Sequence, residues 1–107
     1  MAFDIGEVLK QMISAAGDVL AKEGPIIKGC VKAAFEQEKD ALEEIAQARL
    51  EGEIDDDDLK SQIADEEDAL KAALLACKVK GKVAAQKAAN AAIKVFTGAL
   101  ETAFKAL

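Results

Sequence analysis

A chain of 107 residues with a net charge of −6 and no tryptophan, tyrosine or histidine suits one domain built around one core. Twenty-three alanines against one proline and seven glycines point to an all-α class, because alanine loses no side-chain entropy on entering a helix. The thirty Ile, Leu, Val, Phe and Met residues are spaced and interrupted by charge, which excludes a transmembrane helix, and without imidazole the usual activation of a nucleophile is excluded as well.

The first helix is expected over about 4–23. Asp4 as N-cap with Glu7 three residues on reads as a capping box, and Phe3 before the cap can staple onto Val8. Ile5, Val8, Leu9, Met12, Ile13, Ala16, Val19 and Leu20 recur at three- and four-residue spacing as its apolar stripe. Gly24-Pro25 ends this helix and begins the second, since proline fits a first turn where its missing N–H costs nothing. The second helix is expected over 26–51, with Ile27, Val31, Ala34, Phe35, Glu38, Ala41, Leu42 and Ile45 on its stripe. One of those residues is charged.

Gly52 is a natural stop and Asp55 a natural N-cap, with Asp56, Asp57 and Asp58 in the first turn where the helix dipole favours negative charge. The third helix, 55–78, carries Leu59, Ile63, Glu66, Leu70, Leu74 and Cys77 on one face, again with an acid in the middle. A break at Lys78–Lys82 precedes the fourth, 82–106, whose apolar side is Ala85, Ala89, Ala92, Ile93, Phe96, Leu100, Ala103, Phe104 and Leu107. Short joints at alternating ends predict an antiparallel up-down-up-down four-helix bundle. The alternative keeps the third and fourth helices continuous through an eleven-residue repeat, giving a long helical hairpin that forms a swapped dimeric four-helix assembly.

Charge divides the chain into three blocks. Residues 1–35 sum to zero, 36–68 to −12 with fifteen of the twenty acids, and 69–107 to +6. Folded about its own middle, the acidic block becomes the tip of a helical hairpin. A nucleic-acid partner is not expected from this balance, because phosphate neutralisation needs a concentrated basic surface. Lys28, Lys32, Lys78, Lys80 and Lys82 gather around the other two joints as candidates for partner binding, or for a less favoured contact with an anionic membrane surface.

Glu38 and Glu66 are the two acids standing where apolar residues belong. In a hairpin whose paired positions sum to about 107 they lie roughly a turn apart and can share a site, which makes them the metal candidates. The favoured reading places both at the stripe edge, in solvent or paired with Arg49, Lys39 or Lys71, since a buried unpaired carboxylate is costly. Two carboxylates fall short of a magnesium or calcium shell, so no cofactor is expected.

Gly52 to Leu59 resembles the second half of an EF-hand loop, with glycine, a hydrophobic residue two on and an acid six on. The first half departs from it: Gln47 and Arg49 occupy the positions that need carboxylates, and Arg49 repels the ion, so a helix cap is the expected reading.

Met1-Ala2-Phe3-Asp4 shows no basic leader and no cleavage pattern, which predicts a cytoplasmic chain with Cys30 and Cys77 as two buried thiols at one level of the hairpin. The function expected is a small acidic interaction protein without enzymatic activity, self-associating as a dimer and binding a protein partner. A carboxylate-based metal or small-ligand bundle is the alternative, and a peripheral membrane-surface binder a further one.

Overall fold

The computed structural model describes residues 3–22, 28–77, 79 and 81–107, and among these it is all-helical. Five helices follow in order: α1 (Ile5–Ala21), α2 (Lys28–Gln37), α3 (Lys39–Leu50), α4 (Asp56–Ala76) and α5 (Lys82–Lys105). The molecule measures 41 × 23 × 19 Å.

The start of α1 takes up one half of the expected capping box, with Asp4 in an extended conformation and its carboxylate accepting from the Glu7 N–H at 3.2 Å. Its expected stripe is buried at Ile5, Val8, Leu9, Met12, Ala16 and Leu20, while Ile13 and Val19 sit half-buried at the edge. Phe3 is buried too, its ring meeting the edge of Phe96 at 5.8 Å. The Gly24-Pro25 joint and Ile27 lie outside the described residues.

The single helix expected over 26–51 is broken at Glu38, which has φ −94° and ψ 1° and separates α2 from α3. The Glu38 N–H turns back to the Phe35 carbonyl three residues earlier, at 3.1 Å, while Leu42 N–H bonds the Glu38 carbonyl at 3.0 Å. A tightened turn of this kind interrupts a helix without proline. It falls at the charged residue of the apolar stripe, with Phe35 and Leu42 fully buried on either side.

α4 and α5 are separate helices that pack against each other. Cys77 caps the end of α4 and Gly81, at φ 81°, opens α5, a left-handed conformation that only glycine adopts without strain. The continuous helix of the alternative reading is therefore interrupted at this joint. α1 packs chiefly on α5, α5 on α4, α2 and α3 on α4, and α1 also on α2 and α3. These pairings are compatible with a helical bundle.

The core is aliphatic and alanine-rich. Phe35, Phe96, Met12, Leu20, Leu42, Leu70, Leu74 and Leu100 are its largest buried side chains. Ala84, Ala85, Ala88, Ala89, Ala92 and Ala103 of α5 are buried as well, so the alanine face of the last helix lies inside the core.

The expectation of two free thiols is overturned: Cys30 and Cys77 are joined in a disulfide with Cα atoms 5.7 Å apart. Packed helix axes stand about 8–10 Å apart, too far for a bond between two helix middles. Both cysteines lie at helix ends, Cys30 in the first turn of α2 and Cys77 at the cap of α4, where the backbones approach more closely.

Candidate functional site

The tip between α3 and α4 is built by the backbone before charge enters. α3 closes with Gly52 at φ 76°, its N–H bonding the Arg49 carbonyl at 3.2 Å and the Glu53 N–H bonding the Ala48 carbonyl at 2.8 Å. That pair of bonds is a Schellman motif, and glycine supplies its left-handed position. Asp55 then opens α4 with a reciprocal capping box: its carboxylate accepts from the Asp58 N–H at 2.8 Å, and the Asp58 carboxylate accepts from the Asp55 N–H at 3.4 Å. The backbone N–H of Asp58 holds the Asp55 carboxyl below its ordinary range. The helix cap expected for this segment is thus formed.

Arg49 ties the turn down. One guanidinium nitrogen donates to the Ile54 carbonyl at 3.2 Å, a second pairs with the Asp56 carboxylate, and the planar group stacks 4.3 Å above the centre of the Phe104 ring. The sequence offers Arg49 as a partner for Glu38 or Glu66 and as a cation that spoils a calcium loop, and neither reading places it on Phe104. The signal for its real role was its place in the last turn of a helix, two residues before a glycine stop and seven before an aspartate.

With that cation committed inward, Glu51, Glu53, Asp55, Asp57 and Asp58 remain exposed around the tip. Beside them a cleft of about 370 Å³ is lined by Leu59, Leu100 and Phe104, with Arg49 and Asp56 on one wall and Glu101 and Lys105 on the other. Phe104 and Leu107, expected on the apolar side of the last helix, are 39% and 76% exposed at this end. The stripe outlasts its neighbours here, since the helices that cover α5 have already turned.

Glu38 and Glu66 are brought together, as the hairpin arithmetic allowed. Both are half-buried, and no lysine or arginine pairs with either one among the described residues. Glu66 Oε2 is buried with no hydrogen-bond donor. Burial, then the hydrogen bond and negative charge of the Glu38 carboxyl, then Asp65, push the Glu66 carboxyl up to about 7.

Glu66 also lines an open groove of about 540 Å³ between α3 and α4, in which Glu44, Glu51, Glu53 and Asp65 add further negative charge over an apolar floor of Ala41, Ile45 and Ala48. Among the described residues, no three His, Cys, Asp or Glu side chains are placed to hold a metal ion.

Of the lysine candidates, Lys28, Lys32 and Lys82 are exposed, and Lys78 and Lys80 lie outside the described residues. The disulfide holds the first turn of α2 to the end of α4, which gathers Lys28, Lys32 and Lys82 at the end remote from the acidic tip. No described helix is long and apolar enough to cross a membrane. No family model matches the chain, and no similar curated protein or solved structure was found for it.

Proposed function

We propose that the chain is a small helical interaction protein without enzymatic activity, which self-associates and engages a protein partner at its acidic end. The observation that carries this reading is the rigid tip: a Schellman turn, a capping box and the Arg49 clamp fix an array of outward carboxylates next to the half-exposed Phe104. Fixed charge around an apolar contact suits recognition, because it steers encounter and sets register without loss of loop entropy on binding.

Light scattering at increasing concentration tests the self-association. A mass that climbs above 11.2 kDa in low salt supports it, and a constant 11.2 kDa overturns it. The disulfide speaks for oxidising surroundings rather than the reducing cytoplasm expected from the sequence. Alkylation and mass analysis of protein taken directly from cells tests that point, with two alkylated thiols as the contrary result.

A second reading makes the Glu38–Glu66 pair a ligand site, favoured by the buried and unpartnered Glu66 Oε2. The pair supplies two carboxylates, so any ion held there draws most of its shell from water or a small ligand. Metal analysis of the purified protein separates the readings, since a stoichiometric ion speaks for the pair.

A further inference from the structure

We propose that copies of this chain join head to tail, the acidic tip of one seating Phe104 and Leu107 on Val83 at the lysine-bearing end of the next. This rests on the self-association reading above and specifies its geometry.

Three large apolar side chains are exposed among the described residues: Val83 at 68%, Phe104 at 39% and Leu107 at 76%. They lie at opposite ends of α5, whose 24 residues run about 36 Å along a molecule 41 Å long. Each end has its own sign of charge. Lys82 and Lys87 flank Val83 on α5, and Lys28 of α2 shares that end through the disulfide, while Lys32 pairs with Glu36. Beside Phe104 the sign reverses, with Glu51, Glu53, Asp55, Asp57 and Asp58 exposed on the adjoining tip and the charges of Arg49 and Lys105 taken up by Asp56 and Glu101. The chain therefore carries both halves of one contact, an apolar side chain at the end that bears exposed lysines and an apolar pair at the end that bears exposed carboxylates. A foreign partner at the tip has to supply what a second copy already presents.

Side-by-side pairing of two α5 helices also sets Val83 opposite Phe104, but in that register each Lys94 meets the Lys94 of its neighbour and Lys82 falls opposite Lys105, while Lys87 meets a Glu101 whose carboxylate is already held by Lys105. Like charges so placed oppose the arrangement. End-to-end contact puts the lysines against the carboxylates instead. Its interface is heterologous, so growth continues unless the rotation between copies closes a ring. One small contact of this kind is weak and salt-sensitive.

The test uses two blocked chains. Val83→Asp disables the lysine end, and the double variant Phe104→Ser, Leu107→Lys disables the tip, with far-UV circular dichroism confirming that each is folded. Should the double variant fail to fold, Leu107→Lys alone takes its place, since that side chain is largely exposed.

In about 0.01 M salt, where the Debye length is roughly 30 Å, the unaltered chain is expected to exceed 11.2 kDa as concentration rises, and to return to 11.2 kDa in about 1 M salt. Each blocked chain alone stays at 11.2 kDa, its association weakened at least about tenfold. Mixed in equal amounts they regain one competent contact and form a 1:1 complex that grows no further. Blocked chains that still self-associate overturn the proposal, as does a mixture that stays monomeric while the unaltered chain associates. Both of those results leave self-association itself standing. A monomeric unaltered chain overturns the two readings together.

Discussion

Replacing Glu66 by glutamine removes the titrating half of the carboxyl pair while keeping its shape and hydrogen-bonding capacity. In the folded chain Glu66 keeps its proton up to about pH 7, whereas the unfolded chain releases it above the ordinary 4.5. Between those values the folded state binds more protons than the unfolded one, so stability falls as pH rises. The contribution is fully present below 4.5 and lost as pH climbs through about 7. The gap corresponds to roughly 3 kcal/mol. Solvent reaches part of this side chain, and screening lowers the expected loss to about 1–2 kcal/mol.

Glu66→Gln lacks this loss, so urea unfolding followed by circular dichroism should show the variant gaining on the wild type by that amount between pH 5 and pH 8. For a domain of this size the gain appears as about 4–8 °C in Tm at the alkaline end. Glu38→Gln should flatten the wild-type slope in part, because it removes the facing charge and leaves the burial. Parallel pH profiles for wild type and Glu66→Gln would show that Glu66 ionises freely in the folded state, and the account of the pair would fail.

Reduction of the Cys30–Cys77 bond, which spans 47 residues, releases loop entropy worth roughly 4 kcal/mol in the unfolded chain, and about 2–4 kcal/mol is expected in practice. A Tm unchanged by reductant would contradict it. Arg49→Ala strands the tip, and loss of its contacts to Ile54, Asp56 and Phe104 should cost about 1–2 kcal/mol in denaturant unfolding. Lysine should not restore this, since it lacks the planar fork that bonds and stacks together. Gly52→Ala meets no atom within 4 Å, so its expected cost of about 1–2 kcal/mol comes from the positive φ alone. A neutral Gly52→Ala would mean that the turn adopts another conformation.

The sequence by itself determined what depends on neighbours a few residues apart. Asp4, Gly52, Asp55 and Gly81 mark helix ends through local hydrogen bonds and backbone freedom, and each end lies within two or three residues of its expected place. The buried faces of α1 and α5 followed from three- and four-residue periodicity for the same reason, as did the pairing of levels that set Glu38 near Glu66 and Cys30 near Cys77.

What only the tertiary structure decided depends on distance between elements. The break at Glu38 falls on the one acid of its apolar stripe, level with Glu66, and helical spacing alone reads straight through it. The disulfide exists because two helix ends approach more closely than helix axes do. Arg49 abandons both candidate glutamates for Ile54, Asp56 and Phe104, a choice made by the tip and α5 arriving at the same place. Phe104 and Leu107 belong to an apolar stripe by spacing and to the surface by position, because spacing records which face a residue occupies and only packing decides whether anything covers it.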